Sequence, residues 1–186
     1  MLLKRLMLGL VITGHSVLAL SQAPAVDQPL PPLAIEDRGE LKLDADDSFS
    51  YQPWSTADSP PKVHILQYFP ATMGDSKTFE PFTDKLQEEF ELGTYHVTTI
   101  INLDAALWGT TGFVVSEVKK SKRQFPGSTL VLDEEGLGAE HWQLGDKGTG
   151  LVIIDPQGVV LYFTREPLTE QQIRAQVDLV RRYIEG

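Results

Sequence analysis

The sequence predicts an α/β fold built on a mixed sheet, and three observations carry that prediction. Short, apolar, β-branched runs alternate with segments whose apolar residues recur at helical spacing. One run, Val63-His64-Ile65-Leu66-Gln67-Tyr68-Phe69, is almost continuously apolar, as expected of a strand covered on both faces. Near the C-terminus, Leu151-Val152-Ile153-Ile154 meets residues 159–164 across Asp155-Pro156-Gln157-Gly158, a turn sequence that makes an antiparallel hairpin.

Lys4 and Arg5 precede an apolar stretch, residues 6–20, broken only by Thr13, His15 and Ser16. A basic start followed by such a run reads as a secretory signal. The run falls short of the roughly 20 apolar residues a membrane helix needs, so cleavage near Ser21 is expected rather than anchoring. Residues 22–32, with Pro24, Pro29, Pro31 and Pro32, read as an extended leader, and residues 33–186 as one domain.

Within that domain, Leu33-Ala34-Ile35 and Leu41-Lys42-Leu43 flank Glu36-Asp37-Arg38-Gly39-Glu40, whose Asp and Gly suit a tight turn, so an N-terminal hairpin is expected. Residues 51–61, with Pro53, Trp54, Pro60 and Pro61, lack a clean period and read as a loop closed over the core by Trp54. After the central strand, Phe79, Phe82, Leu86 and Phe90 recur at helical spacing, and Pro81 is tolerable in a first turn. Residues 95–102 form the next strand. A loop through Trp108 and Gly112 leads to a helix over 113–124, ended by Pro126 and Gly127, and residues 129–132 are a further strand. The last helix opens with a capping box, Thr169 and Gln172, and turns Ile173, Val177, Val180 and Ile184 to the core. This order describes a mixed central sheet with helices on both faces, the thioredoxin-like arrangement.

The chain carries 16 basic and 26 acidic residues, and loss of Lys4 and Arg5 would leave 14 basic residues against the same 26. Nucleic-acid and anionic-membrane binding depend on basic patches, so neither partner is expected, nor any membrane association after signal cleavage. The chain contains no cysteine. In thioredoxin-like proteins the thiolate sits where the central strand meets the next helix, here residues 72–76. Neither Met73 nor Ser76 can replace it: a thioether has no proton to lose, and a serine hydroxyl is too weak an acid without a base. No proline lies between Pro126 and Pro156, so the usual cis-proline position falls to Gly150 or its neighbours.

Several constellations offer chemistry other than thiol exchange. Thr72, Ser76 and Thr78 at a helix start would offer hydroxyls and backbone N–H groups to an anion, against ordinary capping by Asp75 or Ser76. Asn102 and Asp104 end a strand and precede Trp108, at the carboxyl edge where open α/β sheets bind ligands. Trp142 and Gln143 would approach the same edge. The alternative is that Asn102 and Asp104 cap the loop backbone while both tryptophans fill core. His141 stands beside Glu140 in a predicted loop as an acid–base pair, whereas His64 and His96 lie in strands. No metal-ligand or cofactor spacing is present. Asp44-Ala45-Asp46-Asp47-Ser48 lacks the Gly and distal Glu of a calcium loop and reads as a solvated turn. Residues 145–150 carry glycines in the wrong order for a dinucleotide site. The basic residues between Lys119 and Arg123 suit a helix C-terminus.

Asp37-Arg38-Gly39-Glu40-Leu41, Thr98-Thr99-Ile100-Ile101-Asn102 and Trp142-Gln143-Leu144 resemble segments of the YtfJ family of Gram-negative periplasmic proteins, from about Pro32 to the C-terminus. The resemblance implies a thioredoxin-like fold and a periplasmic address, and brings no catalytic residues with it. Two functions remain in view: a module that binds a periplasmic protein or peptide partner without thiol chemistry, or a non-thiol enzyme with a site near Asn102, Asp104 and His141. A transcriptional regulator conflicts with export and with the acidic charge.

Overall fold

The computed structural model describes residues 21–72, 74–145 and 148–186. The signal reading of residues 1–20 lies outside the described residues. The elements run β1 (Ala34–Leu43), β2 (Phe49–Ser55), β3 (His64–Pro70), α1 (Glu80–Glu89), β4 (His96–Asn102), α2 (Thr111–Gln124), β5 (Thr129–Asp133), α3 (Leu137–His141), β6 (Gly150–Ile154), β7 (Val160–Thr164) and α4 (Glu170–Glu185). They form one seven-stranded sheet in the order β2-β1-β5-β4-β3-β6-β7. Strands β3, β4 and β5 are parallel, and the flanking pairs are antiparallel. The thioredoxin-like, mixed-sheet prediction therefore holds.

Strand alternation divides the core. On one face, Ile65, Leu151 and Ile153 pack against Phe82 and Leu86 of α1 and Val177 and Val180 of α4. On the same face, Phe69, Ile101, Leu130 and Leu132 pack against Val118 of α2. The opposite face buries Leu66, Tyr68, Ile100, Val131 and Val152 under Trp142, Leu144, Leu33 and the short α3. An extended strap does there what a second long helix would do. Asp27 N–H bonds to Val160 O, Leu30 N–H to Gly158 O, and Trp142 Nε1 donates to Pro31 O at 3.0 Å. The capping box at Thr169 is present, with Gln172 N–H on Thr169 Oγ1 and Thr169 N–H on Gln172 Oε1. Such a cap contributes about 1 kcal/mol.

Two expectations are corrected. The predicted turn over residues 36–40 lies inside β1, and the N-terminal hairpin closes instead at residues 44–48 with β2, part of the predicted 51–61 loop, as its second arm. Gly39 explains the error. It takes φ +65° at a bulge where a Cβ would stand 2.2 Å from Gln52 O, so the glycine that signals a turn here bends a continuous strand. Pro53 is admissible because β2 is the sheet's edge. The second correction is local: His141 ends a helix, α3, rather than lying in a loop.

The basic residues of α2 are committed inside the fold. Arg123 pairs with Asp47 at 3.1 Å and lies 4.5 Å over the Phe49 ring, Lys119 lies 5.3 Å from the same ring, and Lys120 pairs with Glu117. Lys122 is buried and donates to Pro126 O and Ser128 O just past the helix end. Burial, the largest influence on it, lowers its pKa.

Candidate functional site

At the carboxyl edge of the parallel strands, Pro70, Asn102 and Asp133 stand side by side in register. Asp133 is fully buried. Its Oδ2 accepts from the Tyr68 hydroxyl and from Gly138 N–H, both at 2.8 Å, and its Oδ1 accepts from Leu137 N–H at 3.0 Å. One carboxylate thus caps α3 and holds the Tyr68 ring. Burial first, and then the Asp133 charge, push the Tyr68 phenol well above its usual range, so it is a fixed donor at any physiological pH.

Asn102 is almost fully buried, and its Oδ1 accepts from Ala105 N–H at 3.3 Å. Gly136, with φ +72°, stands so close that a Cβ there would lie 3.0 Å from Asn102 Nδ2. The capping alternative is therefore what the structure places at Asn102, while Asp104 is exposed. The two tryptophans separate completely. Trp142 is 1 % exposed and Trp108 is 101 % exposed. Trp108 does not owe this to a frayed loop: Thr110 N–H and Oγ1 both donate to Leu107 O, at 2.9 and 2.7 Å, and Ala106 N–H donates to Leu103 O. Leu107 and, at the start of α2, Phe113 are exposed with it.

The thiol-equivalent turn is not arranged as an anion cradle. Thr72 Oγ1 donates to Asp75 Oδ2, a 3-10 turn covers Asp75–Lys77, and α1 begins only at Glu80 with Phe79 as its uncapped N-cap. The helix N-terminus is thus displaced from Thr72 and faces an acidic first-turn residue, the opposite of an anion site. Met73 lies outside the described residues. Gly150 pairs with Tyr68 at the start of β6, opposite this turn, and no cis peptide occurs among the described residues.

Gln143 has φ +50°, is exposed, and donates through Nε2 to Ser21 O. The His141 carbonyl accepts from Gln22 N–H, and its Nε2 is buried without a hydrogen-bond partner. His141 lines a cleft of about 500 Å³ with Leu33, Leu137 and Ser21. A larger cleft, about 800 Å³, lies between α1 and α2 and takes in Ser76. Asn102 and Asp104 line neither of these clefts, and the eight predicted residues share neither one. Among the described residues no group of three His, Asp or Glu side chains is placed to hold a metal.

Sequence reasoning missed Asp133, because a lone Asp ending a strand gives no sign of the phenol and helix start that converge on it. It also missed the polar floor of the larger cleft. Gln67 and Thr99 are register partners, and Gln67 Nε2 donates to Thr99 Oγ1 at 2.6 Å. Polar residues at one level of two adjacent apolar strands were the available signal. At the other end of those strands His64 and His96 are also partners, with ring centroids 4.8 Å apart. His64 Nε2 shares a hydrogen bond with Thr98 Oγ1 at 2.8 Å, and its Nδ1 is buried without a partner. Burial, then the neighbouring His96, push the His64 pKa down to about 3.

Residues 25–183 match the family described as "Bacterial protein of unknown function (YtfJ_HI0045)". The chain belongs to this family. The YtfJ match begins earlier than the expected Pro32 and includes most of the strap. The Escherichia coli (strain K12) protein named "Uncharacterized protein YtfJ" is 30% identical over 158 residues, 84% of this chain and 85% of that protein. Among solved structures, a candidate thiol:disulfide interchange protein DsbE from Chlorobium tepidum superposes with a TM-score of 0.59 at 15% identity, covering 87% of this chain and 99% of that one. The thioredoxin domain of a thiol-disulfide oxidoreductase from Bacteroides vulgatus superposes with a TM-score of 0.53 at 13% identity, covering 84% and 98%. These likenesses bear on the fold of this YtfJ-family chain.

Proposed function

We propose that this YtfJ-family protein is an exported, redox-inactive thioredoxin-like module that binds a protein partner through the loop after β4. The observation that supports it most is Trp108, held fully exposed by an ordered turn beside exposed Leu107 and Phe113. Burying a large apolar side chain stabilises by about 1.5–3 kcal/mol, a gain this loop leaves untaken in the isolated chain. Tryptophan is also the residue type most enriched where interfaces concentrate their energy. The patch lies at the carboxyl edge of the sheet, next to exposed Asp104, so its partner presents an apolar pocket with basic groups at the rim. Absence of cysteine removes thiol exchange from that edge and leaves recognition. The acid–base alternative at Asn102, Asp104 and His141 loses support, because Asn102 is committed to capping and shares neither described cleft with His141.

The test is site-specific photocrosslinking in periplasmic extract with the reactive group at position 108 and, as control, at exposed Tyr183 of α4. A partner captured from position 108 alone, and lost when Leu107 and Phe113 are changed to Ser, is the expected result. Equal capture from both positions, or none, would overturn the binding-module reading.

A further inference from the structure

The cleft between α1 and α2 is distinct from the Trp108 surface, and its floor departs from what a parallel sheet requires. On the helix-covered face of β3 and β4 the neighbours are Ile65 and Phe69, Val97 and Ile101, yet Gln67 and Thr99 stand between them in register. Strands covered by helices are ordinarily apolar throughout, and a polar group removed from water costs free energy unless it is bonded. Here the helices bury Thr99, bonded to Gln67, but leave Gln67 partly exposed at the bottom of a gap. Helix α1 leans on α4 and α2 on β1, and the gap of about 800 Å³ between them lies within the size range of ligand clefts.

The walls define the ligand chemistry. Gln87 of α1 and Gln124 of α2 face the gap with Gln67, and each carboxamide both donates and accepts hydrogen bonds. Asp84 adds an acceptor and Phe125, half-exposed, adds an apolar ring. Among the described residues, the one Lys or Arg on the lining, Lys62, already donates to Gly93 O at 2.5 Å. An anion finds little here. A neutral polyol fits, because each hydroxyl is donor and acceptor together and matches carboxamides on three sides, while the C–H face of a pyranose matches an aromatic ring. We infer that the α1–α2 cleft is a binding site for a neutral oligosaccharide, with Gln67 and Thr99 as its floor.

The probes are maltotriose, cellotriose and N,N′,N″-triacetylchitotriose, with trilysine as the competing cationic ligand, titrated into the full chain by NMR. Saturable binding of one saccharide, with shifts in the Gln67 and Gln124 side-chain amides, is expected. Gln67→Leu/Thr99→Val would weaken it at least tenfold while melting at the same or a higher temperature, because the replacement restores an apolar floor. Gln124→Ala, at an exposed position, would weaken it several-fold with an unchanged fold. Binding of trilysine alone, of none of the three saccharides, or of a saccharide equally in the wild-type chain and both variants would overturn the assignment. Crosslinking from position 108 is a separate readout and is unaffected by either variant.

Discussion

The two ends of the parallel strands β3, β4 and β5 bury polar side chains on the same sheet face, and they do so in opposite ways. At the carboxyl end Asp133 meets the Tyr68 hydroxyl and two backbone N–H groups, and each of these contacts is a hydrogen bond of normal length. At the amino end His64 satisfies one ring nitrogen through Thr98 and leaves the other buried and unpartnered. A satisfied buried network stiffens the region that holds it, whereas an incomplete one is a standing cost that depends on protonation. The rigid end carries the exposed Trp108 loop, and the incomplete end carries the pH sensitivity.

The sharpest way to break this contrast is Asp133→Ala. It strands the Tyr68 hydroxyl and two N–H groups, and a loss of about 3–5 kcal/mol in urea unfolding is expected. A loss under about 1 kcal/mol would mean the network is not what stiffens the edge. At the other end the effect is graded with pH. The folded-state pKa of His64 lies below its unfolded value of 6.5, so below pH 6.5 the unfolded chain binds a proton that the folded chain refuses. Stability therefore falls as pH drops from 6.5 toward 3, with a limiting slope of about 1.4 kcal/mol per pH unit from this group. His96, lowered first by burial, adds in the same direction. In His64→Leu the acid-side slope shrinks by one proton, measured as unfolding free energy against pH; an unchanged slope would assign the sensitivity elsewhere.

A smaller effect sharpens the picture of the rigid end. In Gly138→Ala the new methyl would lie 2.4 Å from Tyr68 Cε2, and the ring is held by Asp133, so about 1–3 kcal/mol of destabilisation is expected by chemical denaturation. The smallest effect belongs to Trp108→Ala, which should leave stability within about 0.5 kcal/mol because the side chain buries nothing in the isolated chain. A clear loss of melting temperature there would show that Trp108 packs onto the fold, and the partner-binding reading would lose its main support.

Most of the fold was legible because it rests on local signals. The 63–69 strand, the final hairpin, the capping box at Thr169 and the apolar stripe of α1 each depend on residues within a few positions of one another. The N-terminal hairpin was misread because Gly39 satisfies two different demands, a turn or a bulge, and only the cross-strand partner Gln52 distinguishes them. The predicted site residues divided along the same line. Whether Asn102, Trp142 and Trp108 are each buried depends on what packs over them. Gly136 covers Asn102, the strap carbonyl of Pro31 receives Trp142, and nothing among the described residues covers Trp108.

By itself the sequence determined that this is an acidic α/β chain without thiol chemistry, because charge, cysteine count and apolar periodicity are sums over residues and survive any arrangement of them. The tertiary structure alone decided that Tyr68, 65 residues from Asp133, donates a hydrogen bond to it, that Gln67 and Thr99 floor an open cleft, and that one tryptophan of three faces solvent. The physical reason is that burial and hydrogen-bond partnership are properties of pairs brought together by the crossovers between parallel strands, and such pairs leave no periodic trace in the chain.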